Sequence, residues 1–166
     1  KSDSWEGGHR IPFIVKWPGM VAQGTSSKQL VHQADIMATL AQILNVQLPP
    51  DAGEDSFSFL PLLEGENRPV RNHAISASIS GIPSLRSDTW KLILGSGSGG
   101  WSPGGDEEPF QLYNLENDPQ EARNMIKEFP DQVSEMKLLM EKLITDGRSS
   151  PGPKQENDVE VTRYTD

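Results

Sequence analysis

Lys1-Ser-Asp-Ser-Trp-Glu-Gly-Gly-His-Arg-Ile-Pro-Phe-Ile-Val-Lys-Trp17 decides how the rest of the chain is read. It has the form of a polar loop feeding a buried strand. Gly7-Gly8 lets the backbone adopt conformations barred to other residues, or lie close against another surface. Pro12 precedes Phe13-Ile14-Val15, a short run of aromatic and β-branched residues of the kind covered on both faces in a core strand. Trp17-Pro18-Gly19 ends it, because Pro cannot continue a central strand and Gly permits the turn. A lysine, a glutamate, a histidine and an arginine thus crowd a glycine loop at a strand end, where open α/β sheets gather their sites.

Beyond this stretch, Asp35 suits a helix N-cap, and Ile36, Leu40, Ile43 and Leu44 form one apolar stripe. That helix is expected to pack on the strand from Pro12 to Trp17. Leu48-Pro49-Pro50-Asp51 stops it, and residues 51–66 form a connector with an apolar knot of Phe57, Phe59, Leu60, Leu62 and Leu63. From His73 the period changes to two: Ile75, Ala77 and Ile79 alternate with serines, predicting a strand over 73–80. Residues 84–94 read as a hairpin turning at Ser87-Asp88, with Trp90, Leu92 and Leu94 alternating with Lys91 and Ile93, and 110–115 as a further strand, in a small antiparallel sheet with one face to cover. Asp118-Pro119-Gln120-Glu121 has the layout of a capping box opening a short helical turn. Pro130-Asp131 starts a long helix with Val133, Met136, Met140, Leu143 and Ile144 on one face, stopped by Gly147. Residues 149–157 read as a linker, and Val159 and Val161 permit a last edge strand. The expected class is α+β: a small antiparallel sheet covered by a long C-terminal helix, preceded by one strand and one helix.

The chain has 166 residues and a formal charge of −9, which argues against nucleic acid as a partner. It has no cysteine, so neither a disulfide framework nor a thiolate metal site is available. That is compatible with the cytosol or a bacterial periplasm. No stretch approaches the roughly 20 apolar residues of a membrane span. Apolar residues make up 34%, low for a free-standing globule. Gly/Ser/Pro segments account for part of this, and reliance on a larger partner domain for the rest.

Four blocks carry a family resemblance. The first is Lys1-(three residues)-Trp5-Glu6-Gly7-Gly8-His9-Arg10-Ile11-Pro12 with Trp17-Pro18-Gly19. The second is His32-x-x-Asp35-Ile36-x-x-Thr39-Leu40, with Ala38 where Pro is usual. Trp90-Lys91-Leu92-Ile93 and Leu112-Tyr113-Asn114-Leu115-x-x-Asp118-Pro119-x-Glu121 complete the set. In this order they resemble the carboxyl-terminal third of the sulfatase family, of the arylsulfatase and galactosamine-6-sulfatase kind. The resemblance implies an alkaline-phosphatase-like α/β domain ending within residues 1–66, a sheet-and-helix subdomain over 67–148, and a linker with a possible edge strand over 149–166. It implies hydrolysis of sulfate esters, of carbohydrates or aryl groups, by a formylglycine nucleophile and calcium. The Cys/Ser-x-Pro-x-Arg motif and the calcium ligands are not in this chain. They are expected in a missing N-terminal domain, so this chain alone should be inactive. A periplasmic or secreted location follows from the same resemblance. A non-catalytic packing or binding module is the rival reading, as is a phosphodiester or phosphonate hydrolase of the same superfamily.

The candidate site residues are Lys1, His9 and Trp101. Lys1 matches the family's sulfate-contacting lysine, and a fixed ammonium stabilises charge developing on sulfuryl oxygens. Its plainer reading is an exposed terminal lysine. His9 either donates to a substrate oxygen or holds its loop by packing and hydrogen bonding. Glu6 and Arg10 read as an internal ion pair, or as groups satisfying the backbone of the loop. Trp101 lies in Gly95-Ser-Gly-Ser-Gly-Gly-Trp-Ser-Pro-Gly-Gly105, similar to a loop of some galactosamine-6-sulfatase relatives. No Lys-Ser/Thr follows, so this is not a phosphate-binding P-loop. Trp101 either stacks on a sugar ring or is pinned into a hairpin connection. His32 with Asp35, and His73, read as structural. The methionine stripe reads as core, and Asp106-Glu107-Glu108 as a solvated loop tip.

Overall fold

A computed structural model describes residues 2–105 and 107–161. The described chain forms two compact units. One contains residues 2–12 and 75–141, the other residues 13–74 and 142–161.

The first unit carries the sheet. Its strands β1 (His73–Ala77), β2 (Pro83–Ser87), β3 (Trp90–Ile93) and β4 (Gln111–Asn114) lie in the order β1-β2-β3-β4. β2 pairs antiparallel with β3, and β3 with β4, with Leu85 opposite Leu92 and Leu92 opposite Leu112. Ser87 faces Trp90, so the hairpin turns at Asp88-Thr89, one residue later than the sequence suggests. Asp88 takes φ +50°, a left-handed conformation that Asp tolerates. β3 was expected to show one solvated face; instead Lys91, Leu92 and Ile93 are all buried. Ile93, Tyr113 and Leu115 form a core cluster against which Trp5 and Ile82 pack. β1 departs from its predicted apolar face: Ala74 is buried, while Ala77 and Ile79 face solvent.

The predicted long helix spans Pro130–Asp146 and is the fourth helix of the chain, α4. Met136, Met140 and Leu143 are buried as their spacing predicts, and Leu138 is exposed. Lys137 Nζ sits 4.2 Å above the ring centre of Phe110, and Phe129 packs on Trp90 at 5.0 Å between rings. Gly147, at φ +61°, ends the helix with its N–H on the Ile144 carbonyl. The predicted capping box is not one. Asp118 does accept the backbone N–H groups of Ala122 and Arg123, but no helix follows, and Glu121 turns inward at φ +55°. Its carboxylate bonds a buried ammonium instead, and that outweighs a cap.

The second unit holds α2 (Asp35–Ile43) and α3 (Leu60–Leu63). Here two expectations fail for one reason. Asp35 is not the N-cap; Ala34 is. The fully buried Asp35 carboxylate accepts the His32 N–H at 2.7 Å, the Phe57 N–H at 3.0 Å and Arg71 Nη1 at 2.6 Å. Arg71 Cζ also lies 4.6 Å over the Phe57 ring. Thr39, one turn on, donates to the Asp35 carbonyl and accepts the Phe59 N–H. α2 therefore turns its polar row to the 56–59 knot, and Ile36, Leu40 and Leu44 face outward. Phe13-Ile14-Val15 is likewise not a covered strand: Ile14 is 90% exposed. A strand gains its backbone bonds only from a neighbour, and among the described residues none lies beside this run. Phe13 does pack edge-on against Phe59, 5.5 Å between rings.

The 149–157 segment is anchored rather than loose. Arg148 Nη1 donates to the Pro50 and Pro153 carbonyls, and Asn157 Nδ2 to that of Ile144. Residues 159–161 form no strand; Thr162, the last residue of the predicted edge strand, lies outside the described residues.

Candidate functional site

The glycine loop of the opening stretch closes into one helical turn, α1 (Glu6–His9), in the first unit. Gly8 is required there, because a Cβ would fall 2.2 Å from the Asp3 carbonyl oxygen. Three of the four sequence blocks meet beneath this turn. Lys91 Nζ, on the central strand β3, lies 3.1 Å from Glu6 Oε1 and 2.9 Å from Glu121 Oε1. The other Glu121 oxygen accepts the Glu6 backbone N–H. Lys91 is 2% exposed, so one ammonium and two carboxylates share a nearly dry pocket. Burial pushes the Glu121 carboxyl above its ordinary range despite the opposing pull of Lys91.

A second anchor sits beside it. Gln111 on β4 accepts from Trp5 Nε1 at 2.8 Å and from the Tyr113 hydroxyl at 2.7 Å. Its amide nitrogen donates to the Gly95 and Gly97 carbonyls at 2.7 and 2.8 Å. The same side chain thus holds both the opening stretch and the start of the Gly-rich loop. That loop then bonds Asp3 and Ser4. The Ser4 N–H bonds the Ser98 carbonyl at 2.7 Å, and Asp3 Oδ1 accepts the Trp101 N–H at 2.7 Å and the Ser102 N–H at 3.3 Å. Asp3 Oδ2 takes the Ser102 hydroxyl. These bonds, the hydroxyl's first, hold the Asp3 carboxyl below its ordinary range. The arrangement borders an open cleft of about 550 Å³ lined by Asp3, Trp5, Glu6, Ser102, Tyr113 and Glu121, among others.

Of the predicted site residues, Trp101 is 68% exposed on the loop that Asp3 holds. His9 is half-buried at the end of α1, its Nε2 3.4 Å from the Ala77 carbonyl. Lys1 lies outside the described residues; Asp3 and Ser4 are bonded to the Trp101 loop. Of the two readings offered for Glu6 and Arg10, an ion pair between them is not what forms: Glu6 pairs with Lys91, and Arg10 is exposed. Periodicity assigned Lys91 to a solvated face and so missed it. Its place in the Trp90-Lys91-Leu92-Ile93 block was the available signal. Nothing in the pattern marked Asp3 or Gln111. Among the described residues no three His, Cys, Asp or Glu side chains converge as metal ligands would.

The chain that carries these loops is similar to known proteins over most of its length. The family described as N-sulphoglucosamine sulphohydrolase, C-terminal, matches residues 3–149. The N-acetylgalactosamine-6-O-sulfatase of Bacteroides thetaiotaomicron is 35% identical over 151 residues, covering 87% of this chain and 29% of that protein. The ulvan-active sulfatase of Formosa agariphila is 29% identical, covering 84% and 32%. A solved B. thetaiotaomicron structure, described with the metabolism of multiple glycosaminoglycans, superposes with a TM-score of 0.74 at 33% identity, over 86% of this chain and 31% of that one. This chain belongs to the sulfatase family and corresponds to its C-terminal part, spanning about a third of its relatives' length.

Proposed function

We propose that this chain is the carboxyl-terminal part of a larger enzyme that hydrolyses sulfate esters of carbohydrates. The observation that carries this reading is the match to a named N-acetylgalactosamine-6-O-sulfatase over 87% of the chain. The convergence of Glu6, Lys91 and Glu121 under the glycine loop supports it, since it gives the family's sequence blocks a shared physical task. Lys1 is the sulfate-binding group. A substrate oxygen bound by a fixed ammonium needs little reorganisation as charge develops on it. Trp101 and His9 are substrate-contacting groups: the exposed indole meets a sugar ring, and the imidazole meets a substrate oxygen. The formylglycine nucleophile and calcium belong to preceding polypeptide, and the chain by itself is inactive. That polypeptide covers the outward row Ile36, Leu40 and Leu44 and the exposed Phe13-Ile14 run. The enzyme works in the periplasm or outside the cell; no helix among the described residues is long and apolar enough to cross a membrane.

The test is turnover of a panel of sulfated saccharides and an aryl sulfate. The complete enzyme is expected to release sulfate and the 166-residue chain none. Lys1→Ala in the complete enzyme should lower turnover about a hundredfold to a thousandfold, the scale for one transition-state donor. Near-normal turnover of that variant would remove Lys1 from the site, and release of phosphate from diesters in place of sulfate would overturn the assignment.

A further inference from the structure

A loop with six glycines between residues 95 and 105 should be mobile, because each glycine gives up more conformational freedom on ordering than other residues do. Here its middle is fastened. One carboxylate, Asp3, accepts two successive backbone N–H groups and the hydroxyl of Ser102. The fit at this point admits no side chain on the neighbouring glycine: a Cβ on Gly100 would lie 2.2 Å from Asp3 Oδ1 and 2.7 Å from the Ser2 carbonyl. Ser2 itself is held at φ +79°, a conformation costly for a residue with a Cβ, and its carbonyl accepts the Ile79 N–H. The result is a pinned Trp101 backbone carrying a ring that projects into solvent.

We propose that Asp3 is a positioning residue: it fixes Trp101 as a preformed aromatic platform for a saccharide ring. This rests on the sulfatase reading above. The carboxylate orders the glycine loop during folding, so that cost is not met again when substrate binds. Losing the latch therefore weakens substrate binding and leaves the chemical step alone, which appears in KM rather than kcat.

The experiment uses the complete enzyme and the best sulfated saccharide of the panel, with Asp3→Ala, Ser102→Ala, Trp101→Ala and the Asp3→Ala/Trp101→Ala double variant. Asp3→Ala and Trp101→Ala should each raise KM about tenfold, the scale of one aromatic contact, with kcat within about twofold. Ser102→Ala removes a single hydroxyl from the latch and should raise KM in the same direction by less; it carries the test if Asp3→Ala does not fold. The double variant should be no worse than Trp101→Ala, because both act through one ring. Unchanged KM in Ser102→Ala and Asp3→Ala, a fall in kcat at constant KM, or multiplying effects in the double variant would overturn the latch while the sulfatase reading stands. A wild-type enzyme that releases no sulfate from any saccharide overturns both.

Discussion

Lys91 is the residue on which the first unit depends most. Its ammonium bridges two carboxylates that otherwise face one another with little water. Replacing one member of such a group strands the others, which typically costs about 3–5 kcal/mol. Lys91→Ala is expected to lose stability on that scale in urea unfolding of the chain, and a loss under ~1 kcal/mol would show the cluster to be wet. Glu121 adds a pH signature. Its folded pKa is raised above the ordinary 4.5 by burial, so its contribution to stability is complete below that pH. The contribution is lost as pH rises through the raised value, because the folded state then holds a poorly solvated charge. Unfolding free energy measured from pH 4 upward should carry that decline, and Glu121→Gln should flatten it. None of this was legible in the alternation of β3, which marks Lys91 as a surface position; burial on both faces of a central strand is a property of its neighbours.

Among elements, α2 shows how a polar contact overrides an amphipathic pattern. The stripe Ile36, Leu40, Ile43 and Leu44 predicts the helix itself correctly but assigns the wrong face to this chain's interior. What turns the helix is the Asp35–Arg71 pair, with Thr39 and Ser56 adding bonds along the same row. Asp35→Ala would leave the guanidinium of Arg71 buried without its partner, at a cost of about 3–5 kcal/mol. The expected readout is a matching fall in the urea midpoint. An unchanged midpoint would mean that the pair is dispensable to α2. α4, by contrast, follows its periodicity: Met136, Met140 and Leu143 are buried and Leu138 is exposed.

For the molecule as a whole, the exposed row on α2 and the exposed Phe13-Ile14 run are the features least suited to a chain standing alone. Large outward apolar groups in a series mark surfaces meant to be covered. The isolated chain is expected to self-associate in sedimentation experiments, and Leu40→Ser/Leu44→Ser should restore a monomer without lowering its stability. A monomeric parent chain at high concentration would count against a covered face. The four sequence blocks, read alone, already pointed to the family, and local patterns over residues 73–147 to the existence of the sheet, the hairpin and the long helix. These follow from local chemistry: glycine where backbones approach, alternation in strands, a 3.6-residue stripe in a helix. Tertiary structure alone decided which charged groups are internal, that Gln111 and Asp3 fasten the Gly-rich loop to the opening stretch, and which face of α2 points inward. Those choices depend on desolvation and on partners distant in sequence, and a carboxylate looks the same along the chain whether it ends up in water or beside a buried ammonium.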